Sequence, residues 1–173
     1  MAETEGVTKS ALEPANVTPA AEFLNACWRA AYAGILDAGF LSSLTTQTRV
    51  DILEKRLHTG MKGVLAHDLG GAIVGLAAFG PAHLVLLGDA GEVSMLYVRP
   101  DRIGTGLGHE LLVDAESQLV SDGFTRIGLD AFTDNVRAIR FYLAHGYRKI
   151  GTKIDHIEGH EYQLDVMMKD LTS

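Results

Sequence analysis

Glu92-Val-Ser-Met-Leu-Tyr-Val-Arg-Pro-Asp-Arg-Ile-Gly-Thr-Gly-Leu-Gly108 is the stretch whose reading decides the fold. Glu92 to Val98 is rich in β-branched and apolar residues, the composition of a strand. Pro100 and Asp101 break it. Gly104, Gly106 and Gly108 then alternate ahead of Leu107, Leu111, Leu112, Ala115 and Leu119, an apolar series at helical spacing. Strand, glycine loop and helix in that order build an anion site. The first helical turn has unpaired N–H groups and the positive end of the dipole, and glycines let a phosphate approach the main chain. The expected ligand is a phosphate or pyrophosphate held mostly by backbone.

Two named phosphate motifs fail on spacing. A P-loop needs Gly-x4-Gly-Lys-Ser/Thr, but His109 stands five residues after Gly104 and no Lys-Ser or Lys-Thr follows. A dinucleotide fingerprint needs a third glycine or alanine, and its place falls on His109 or Leu111. Asp130, at the end of the next strand-like run, could stand in for the ribose-binding acid of such a site.

Leu96-Tyr97-Val98-Arg99-Pro100 followed by Gly106-Leu107-Gly108 resembles the acetyl-CoA loop of the GCN5-related N-acetyltransferase (GNAT) superfamily. That loop reads Arg/Gln-x-x-Gly-x-Gly/Ala after a "Leu-Tyr-Val-x-Pro" type of run. Ile103 occupies the Arg/Gln position, with Arg102 one residue early. A second block, Asn135-Val-Arg-Ala-Ile-Arg-Phe-Tyr-Leu-Ala-His-Gly-Tyr147, looks like the family's "Asn-x-x-Ala-x-x-Phe-Tyr-x-x-x-Gly-Phe" segment, with Tyr147 for Phe. The resemblance covers about residues 90–150 well and the N-terminal half only by pattern. Trp28 to Leu36 looks like the opening helix of many bacterial members.

The resemblance implies an α/β (α+β) fold: a mixed, mostly antiparallel sheet of about six to seven strands with helices on both faces. It implies acetyl-CoA as donor and an amine as acceptor. Main chain of Leu96, Tyr97 and Val98 would hold the pantetheine like an added strand. The turn Ile103, Gly104, Thr105, Gly106, Leu107, Gly108 and His109 would take the pyrophosphate, and Asn135 would bond the cofactor arm. Tyr142 matches the position that often protonates the departing thiolate; a phenol, with a reference pKa of about 10, is a donor at neutral pH. Glu92 is the candidate base, since some members carry there a glutamate that drains the amine proton through water. Its alternative is an exposed carboxylate at a strand start. By strand alternation Ser94 and Leu96 share its face. Attack is direct, in a ternary complex, with no acetyl-enzyme. A non-catalytic acyl-CoA-binding module of the same fold is the competing function, and a nucleotide-binding protein a third.

Composition sets outer bounds. At 173 residues, 47% hydrophobic and 21% charged, the chain suits one soluble domain with a sizeable core. A net charge of −7 without a Lys/Arg cluster argues against nucleic acid and anionic membranes, and mildly favours a cationic acceptor. No apolar run approaches the ~20 residues that cross a bilayer. The acidic start lacks signal-peptide order, so the expected location is cytoplasmic. The single cysteine, Cys27, excludes an intramolecular disulfide and falls on an apolar helical face, as a core residue does. Many relatives pair, which leaves a homodimer open.

Residues 1–6 read as a mobile tail and Val7 to Leu12 as a first strand. Thr18 is the expected N-cap of a helix with Pro19 at its first position, ended by Gly34. Trp28 and Tyr32, one turn apart, are either core or cleft wall. Residues 40–57 form a helical region in two pieces around Thr45-Thr46. Strands at 63–66 and 72–79 flank a turn at Asp68, and residues 83–91 are loop or strand extension. Strand 126–131 precedes a helix from Asn135 to His145, capped by Thr133 or Asp134. Strands begin at Tyr147 and Glu161. His156, Glu158 and His160 resemble a ligand cluster, but Gly159 and the lack of a fourth ligand make a polar turn the expectation, with no metal.

Overall fold

A computed structural model describes residues 6–171 of the chain. The expected tail lies, apart from Gly6, outside the described residues. Strand β1 (Thr8–Ala11) leads into helices α1 (Val17–Ala31), α2 (Ala38–Ser43) and α3 (Thr46–His58). Strands β2 (Lys62–His67), β3 (Ile73–Pro81) and β4 (Gly91–Val98) follow as a meander. Helix α4 (Leu107–Ser121) crosses over to β5 (Arg126–Phe132); α5 (Val136–Ala144), β6 (Arg148–Ile157) and β7 (His160–Asp170) complete the chain. The sheet order is β1-β2-β3-β4-β5-β7-β6, and only β4 and β5 run parallel. That is the expected mixed, mostly antiparallel sheet, with seven strands.

Two cores sit on its two faces. On one, Leu107, Leu111, Leu112, Ala115 and Leu119 of α4 and Tyr142 of α5 pack on Ala77, Phe79, Val93, Ile127 and Met167. The four leucines are fully buried, each contributing roughly 1.5–3 kcal/mol of transfer free energy as an upper figure. On the other face Ala20, Phe23, Leu24 and Cys27 of α1 and Leu53 of α3 cover Leu65, Leu76, Ala78 and Met95.

Several element ends differ from the sequence expectation. Helix α1 starts at Val17, with Asn16 at its cap position; a short 3₁₀ turn at Pro14–Asn16 feeds straight into it, so Thr18 is already helical. Asn135, not Thr133 or Asp134, caps α5: its Oδ1 accepts from the Ala138 N–H at 3.3 Å. The hairpin joining β6 and β7 turns at Glu158 and Gly159, both at positive φ. This places His156 against Glu161 and His160 against Asp37, at 3.8 and 4.0 Å, in a polar turn.

Two irregularities in β4 matter for function. Ala78 pairs with Met95 but Phe79 pairs with Val93, so Ser94 is an extra residue on β4. Its hydroxyl donates to the Ala78 carbonyl at 3.3 Å. Such a bulge resets the in-and-out alternation of a strand. The expectation that Glu92, Ser94 and Leu96 share one face is therefore corrected: Leu96 packs on the α4 side, while Glu92 and Ser94 look towards Met61 and Arg56 at the end of α3. Second, β4 and β5 pair only at Gly91 with Ile127 and Glu92 with Gly128.

Candidate active site

Beyond Glu92 and Gly128 the two parallel strands part. The edge of β4 from Val93 to Val98 that faces β5 is left without a strand partner. The gap opens into a cleft of about 520 Å³ whose walls include Leu96, Tyr97 and Val98 of β4, Asp130 and Ala131 of β5, and Asn135, Phe141 and Tyr142 around α5. Tyr32 and Cys27 of α1 close it from the other face of the sheet.

The glycine turn forms the outer end of the same cleft. Gly104 and Gly106 have φ of 81° and 93°, values that L side chains rarely adopt. A 3₁₀ turn at Pro100–Arg102 precedes them. The first helical bond of α4 is Glu110 N–H to the Gly106 carbonyl, so the N–H groups of Leu107, Gly108 and His109 lie ahead of the ladder. Ile103, Gly104, Gly106, Gly108 and His109 line the cleft, with Arg102 and Arg137 beside them. A Cβ added at Gly108 would meet only Val98 and Phe141, at ordinary contact distances of 3.7 and 3.8 Å. Nothing in the chain itself requires glycine there, which fits a main chain kept bare for a ligand.

Against this geometry, the Acetyltransferase (GNAT) family model matches residues 26–147. The chain belongs to the GNAT family of acetyltransferases. An uncharacterized N-acetyltransferase of Bacillus subtilis (strain 168), YuaI, is 29% identical over 133 residues, covering 76% of this chain and 75% of that protein. Among solved structures, the putative acetyltransferase YncA from Salmonella typhimurium, determined with acetyl-CoA, superposes with a TM-score of 0.73 at 20% identity, covering 98% of this chain and 96% of that one. The PaiA N-acetyltransferase from Thermoplasma acidophilum, in complex with coenzyme A, gives 0.70 at 18% identity over 95% and 98%. At these identities the structural likeness speaks for the GNAT fold alone.

Most residues singled out in the sequence meet at this GNAT cleft, with three qualifications. The Leu107 side chain is fully buried under the sheet, so only its main chain can face a ligand. Thr105 does not line the cleft; its hydroxyl donates to the Arg102 carbonyl at 2.6 Å. Glu92 is not at the cleft and is not an exposed strand-start carboxylate. It is 1% exposed and borders a separate chamber; Ser94 lines both that chamber and the cleft.

Tyr142 lies on the buried face of α5, edge-on to Phe141 and Tyr147. Burial pushes its phenol well above the ordinary tyrosine value. Cys27 is 4% exposed, and burial lifts its thiol to about 12, so it stays a thiol and not a nucleophile. Tyr32 and Tyr97 join hydroxyls at 2.8 Å across the cleft, and Tyr32 stacks edge-on with Trp28 and Phe132. Trp28 itself stands behind Tyr32, under the Arg49 guanidinium at 4.5 Å. Of that helical pair, Tyr32 is the cleft wall and Trp28 its support. Sequence reasoning weighed Asp130 only as the acid of a dinucleotide site and missed Lys153 altogether. Asp130 carries a carboxylate into the cleft, and Lys153 of β6 holds it at 2.8 Å. The strand pattern of 126–131 exposes Asp130 to notice, but only the β5–β7–β6 pairing brings Lys153 to it.

Proposed function

We propose that the chain transfers an acetyl group from acetyl-CoA to a primary amine by direct attack in a ternary complex. The observation that carries this is the parting of β4 from β5, which leaves a strip of unpaired main chain running from the glycine turn to Tyr142. An extended pantetheine arm can add to such an edge as a strand would. The diphosphate then meets the free N–H groups at the start of α4, with Arg102 and Arg137 as neighbouring cations. Asn135 uses its oxygen as a cap and keeps its amide N–H₂ for the arm.

Three chemical tasks remain. Main-chain N–H groups near Leu96 polarise the thioester carbonyl, so that charge developing on its oxygen has a donor already in place. The amine loses its proton to Glu92 through water at Ser94, while the Asp130 carboxylate, its charge already balanced by Lys153, can accept a hydrogen bond from the amine. The C–N bond forms as the C–S bond breaks, and coenzyme A leaves as a thiolate. Tyr142 donates a hydrogen bond to that sulfur. A thiol has a reference pKa of about 8.5, below that of a phenol, so outright proton transfer from Tyr142 is uphill by at least roughly 2 kcal/mol. Stabilisation through the hydrogen bond is the larger part of its role.

Thiol release from acetyl-CoA over a panel of amines tests this. Tyr142→Phe keeps the ring and loses the donor; kcat should fall about a hundredfold, with KM for acetyl-CoA little changed. Wild-type turnover by Tyr142→Phe would remove the assignment. Binding of acetyl-CoA without turnover on any amine would favour the non-catalytic module.

A further inference from the structure

Two histidines stand at the outer end of the cleft and share a single hydrogen bond. His109, in the first turn of α4, lines the cleft beside Gly108. Its Nδ1 lies 2.9 Å from Nε2 of His145, the residue that follows the last turn of α5. The second nitrogen of His145, Nδ1, lies 2.7 Å from the Phe141 carbonyl. The two imidazoles and the Phe141 ring form a short column, with centroids 5.1 and 4.2 Å apart. Phe141 is the ring that a Cβ on Gly108 would meet, so the column stands against the bare main chain of the turn.

The carbonyl dictates where the protons lie. It can only accept, so His145 Nδ1 carries hydrogen. When His145 is neutral, its Nε2 is a lone pair, and the hydrogen between the rings belongs to His109 Nδ1. A neutral His109 is thereby left with a lone pair on Nε2, the one nitrogen of its ring not already engaged. The oxygens of a diphosphate diester carry no proton at neutral pH and cannot bond a lone pair. One added proton on Nε2 turns that nitrogen into a donor without moving a heavy atom. The positive charge is then shared, because the hydrogen between the rings can sit on either nitrogen. A second added proton would break the ring–ring bond, so the pair takes one charge. Arg102 from the turn and Arg137 from α5 line the same cleft. Glu110 and Asp114, further along α4, reach Lys9 of β1 at 3.7 and 2.6 Å. A diphosphate brings the negative charge that a protonated ring needs, and histidine is the side chain that changes charge between pH 5 and 8.

We propose that His109 binds the cofactor's diphosphate as a cation, and that His145 fixes it in the tautomer that makes this proton obligatory. Cofactor binding then takes up a proton. The bond made is His109 Nε2–H, with the proton drawn from solvent, and no bond of the cofactor breaks. This rests on the placement of the diphosphate at the start of α4. His109 is a binding residue and His145 a positioning residue; neither acts on the reacting atoms.

Calorimetry of acetyl-CoA binding at pH 8, in buffers of different ionisation enthalpy, counts the protons. Acetyl-CoA has no thiol to titrate, and its 3′-dephospho form has no phosphate monoester, so both ligands are compared. Each should take up at least about half a proton, and affinity should weaken by about threefold to tenfold per pH unit between 7.5 and 8.5. His109→Gln, whose amide donates at any pH, should abolish the uptake and flatten the pH dependence. His145→Ala frees a neutral His109 to carry its hydrogen on Nε2. It should cut the uptake and hold its affinity at pH 8.5, where that of the wild type has fallen; a merely structural role would not give this. No uptake by the wild type, or uptake that survives His109→Gln, would overturn the inference while leaving acetyl-CoA in the cleft. Uptake with acetyl-CoA that vanishes with the 3′-dephospho form would assign the proton to the ligand's own phosphate and overturn it too. Undiminished uptake in His145→Ala would remove the positioning role. A wild type that binds neither ligand would remove the diphosphate site itself, and this inference with it.

Discussion

In the proposed binding mode, Gly108 puts folding and binding in opposition. It sits in the second position of α4, where glycine costs about 0.8–1 kcal/mol against alanine, and a methyl group there meets nothing closer than 3.7 Å. Gly108→Ala should raise stability by up to that amount in urea unfolding. It should also weaken acetyl-CoA binding about tenfold in calorimetry, because in the proposed binding mode the methyl group occupies the surface offered to the diphosphate. A variant both more stable and fully competent would detach Gly108 from the ligand. Gly106 is a different case: its φ of 93° is needed by the turn itself, so Gly106→Ala should lose stability as well as affinity. The alternation of glycines displays both positions, but only geometry separates Gly106, whose positive φ shapes the turn, from Gly108, where the fold leaves room for a side chain.

Helix α5 and strand β4 show why some features can be read from sequence and others cannot. The Asn135–Tyr147 block carries its structure locally: a cap, an apolar face and a terminal glycine with φ of 89° at Gly146. The double use proposed for Asn135, cap and ligand donor, makes a separable prediction. Asn135→Ala should cost about 1 kcal/mol of stability through the lost cap and also weaken acetyl-CoA binding. Asn135→Asp retains the accepting oxygen and loses the N–H₂, so the melting temperature should hold while affinity falls several-fold. Equal behaviour of the two variants would show that the amide has no separate task. Strand β4 is the opposite case. Its apolar run predicts a strand, but no residue in Glu92-Val-Ser-Met announces that Ser94 is inserted. That depends on register against β3, which is a relation between two segments. Through this one residue, strict alternation puts Glu92 and Leu96 on the same face when they lie on opposite ones. The chamber that Glu92 shares with His83 and Arg56 escapes the sequence for the same reason, since α3, a loop and β4 build it jointly.

At the scale of the whole domain, burial has collected groups that give up protons only reluctantly. Cys27 is raised to about 12, and Tyr32, Tyr97, Tyr142 and Tyr147 are all held above the ordinary tyrosine value by desolvation; for Tyr147 the carboxylate of Glu116, 2.8 Å away, adds to it. The sign of the effect on stability follows. Below about pH 7.5 both folded and unfolded chains keep these protons, and the contribution is complete. As pH rises past 9 and 10 the unfolded chain ionises while the folded one does not, so stability drains into the unfolded state. Each group contributes up to about 1.4 kcal/mol per pH unit between its unfolded and folded values. Urea midpoints should be flat from pH 6.5 to 7.5, begin to fall near 8.5 as the unfolded thiol ionises, and fall steeply from 9.5 to 11. A midpoint unchanged across that range would mean that these side chains reach water in the native state.

The mouth of the cleft has an ownership that the linear order hides. The Asp37 N–H, at the start of α2, donates to the Tyr162 hydroxyl at 3.0 Å, so the segment after α1 is moored to a strand laid down 125 residues later. Phe132 lies between them, edge-on to both Tyr32 and Tyr162. The cleft wall at Tyr32 is therefore backed by an early and a late piece of the chain at once. If the acceptor lies against Tyr32 as the proposed reaction has it, exchanging the opening helices alone for those of a cousin would strip that wall of its backing; the β6–β7 hairpin has to travel with them.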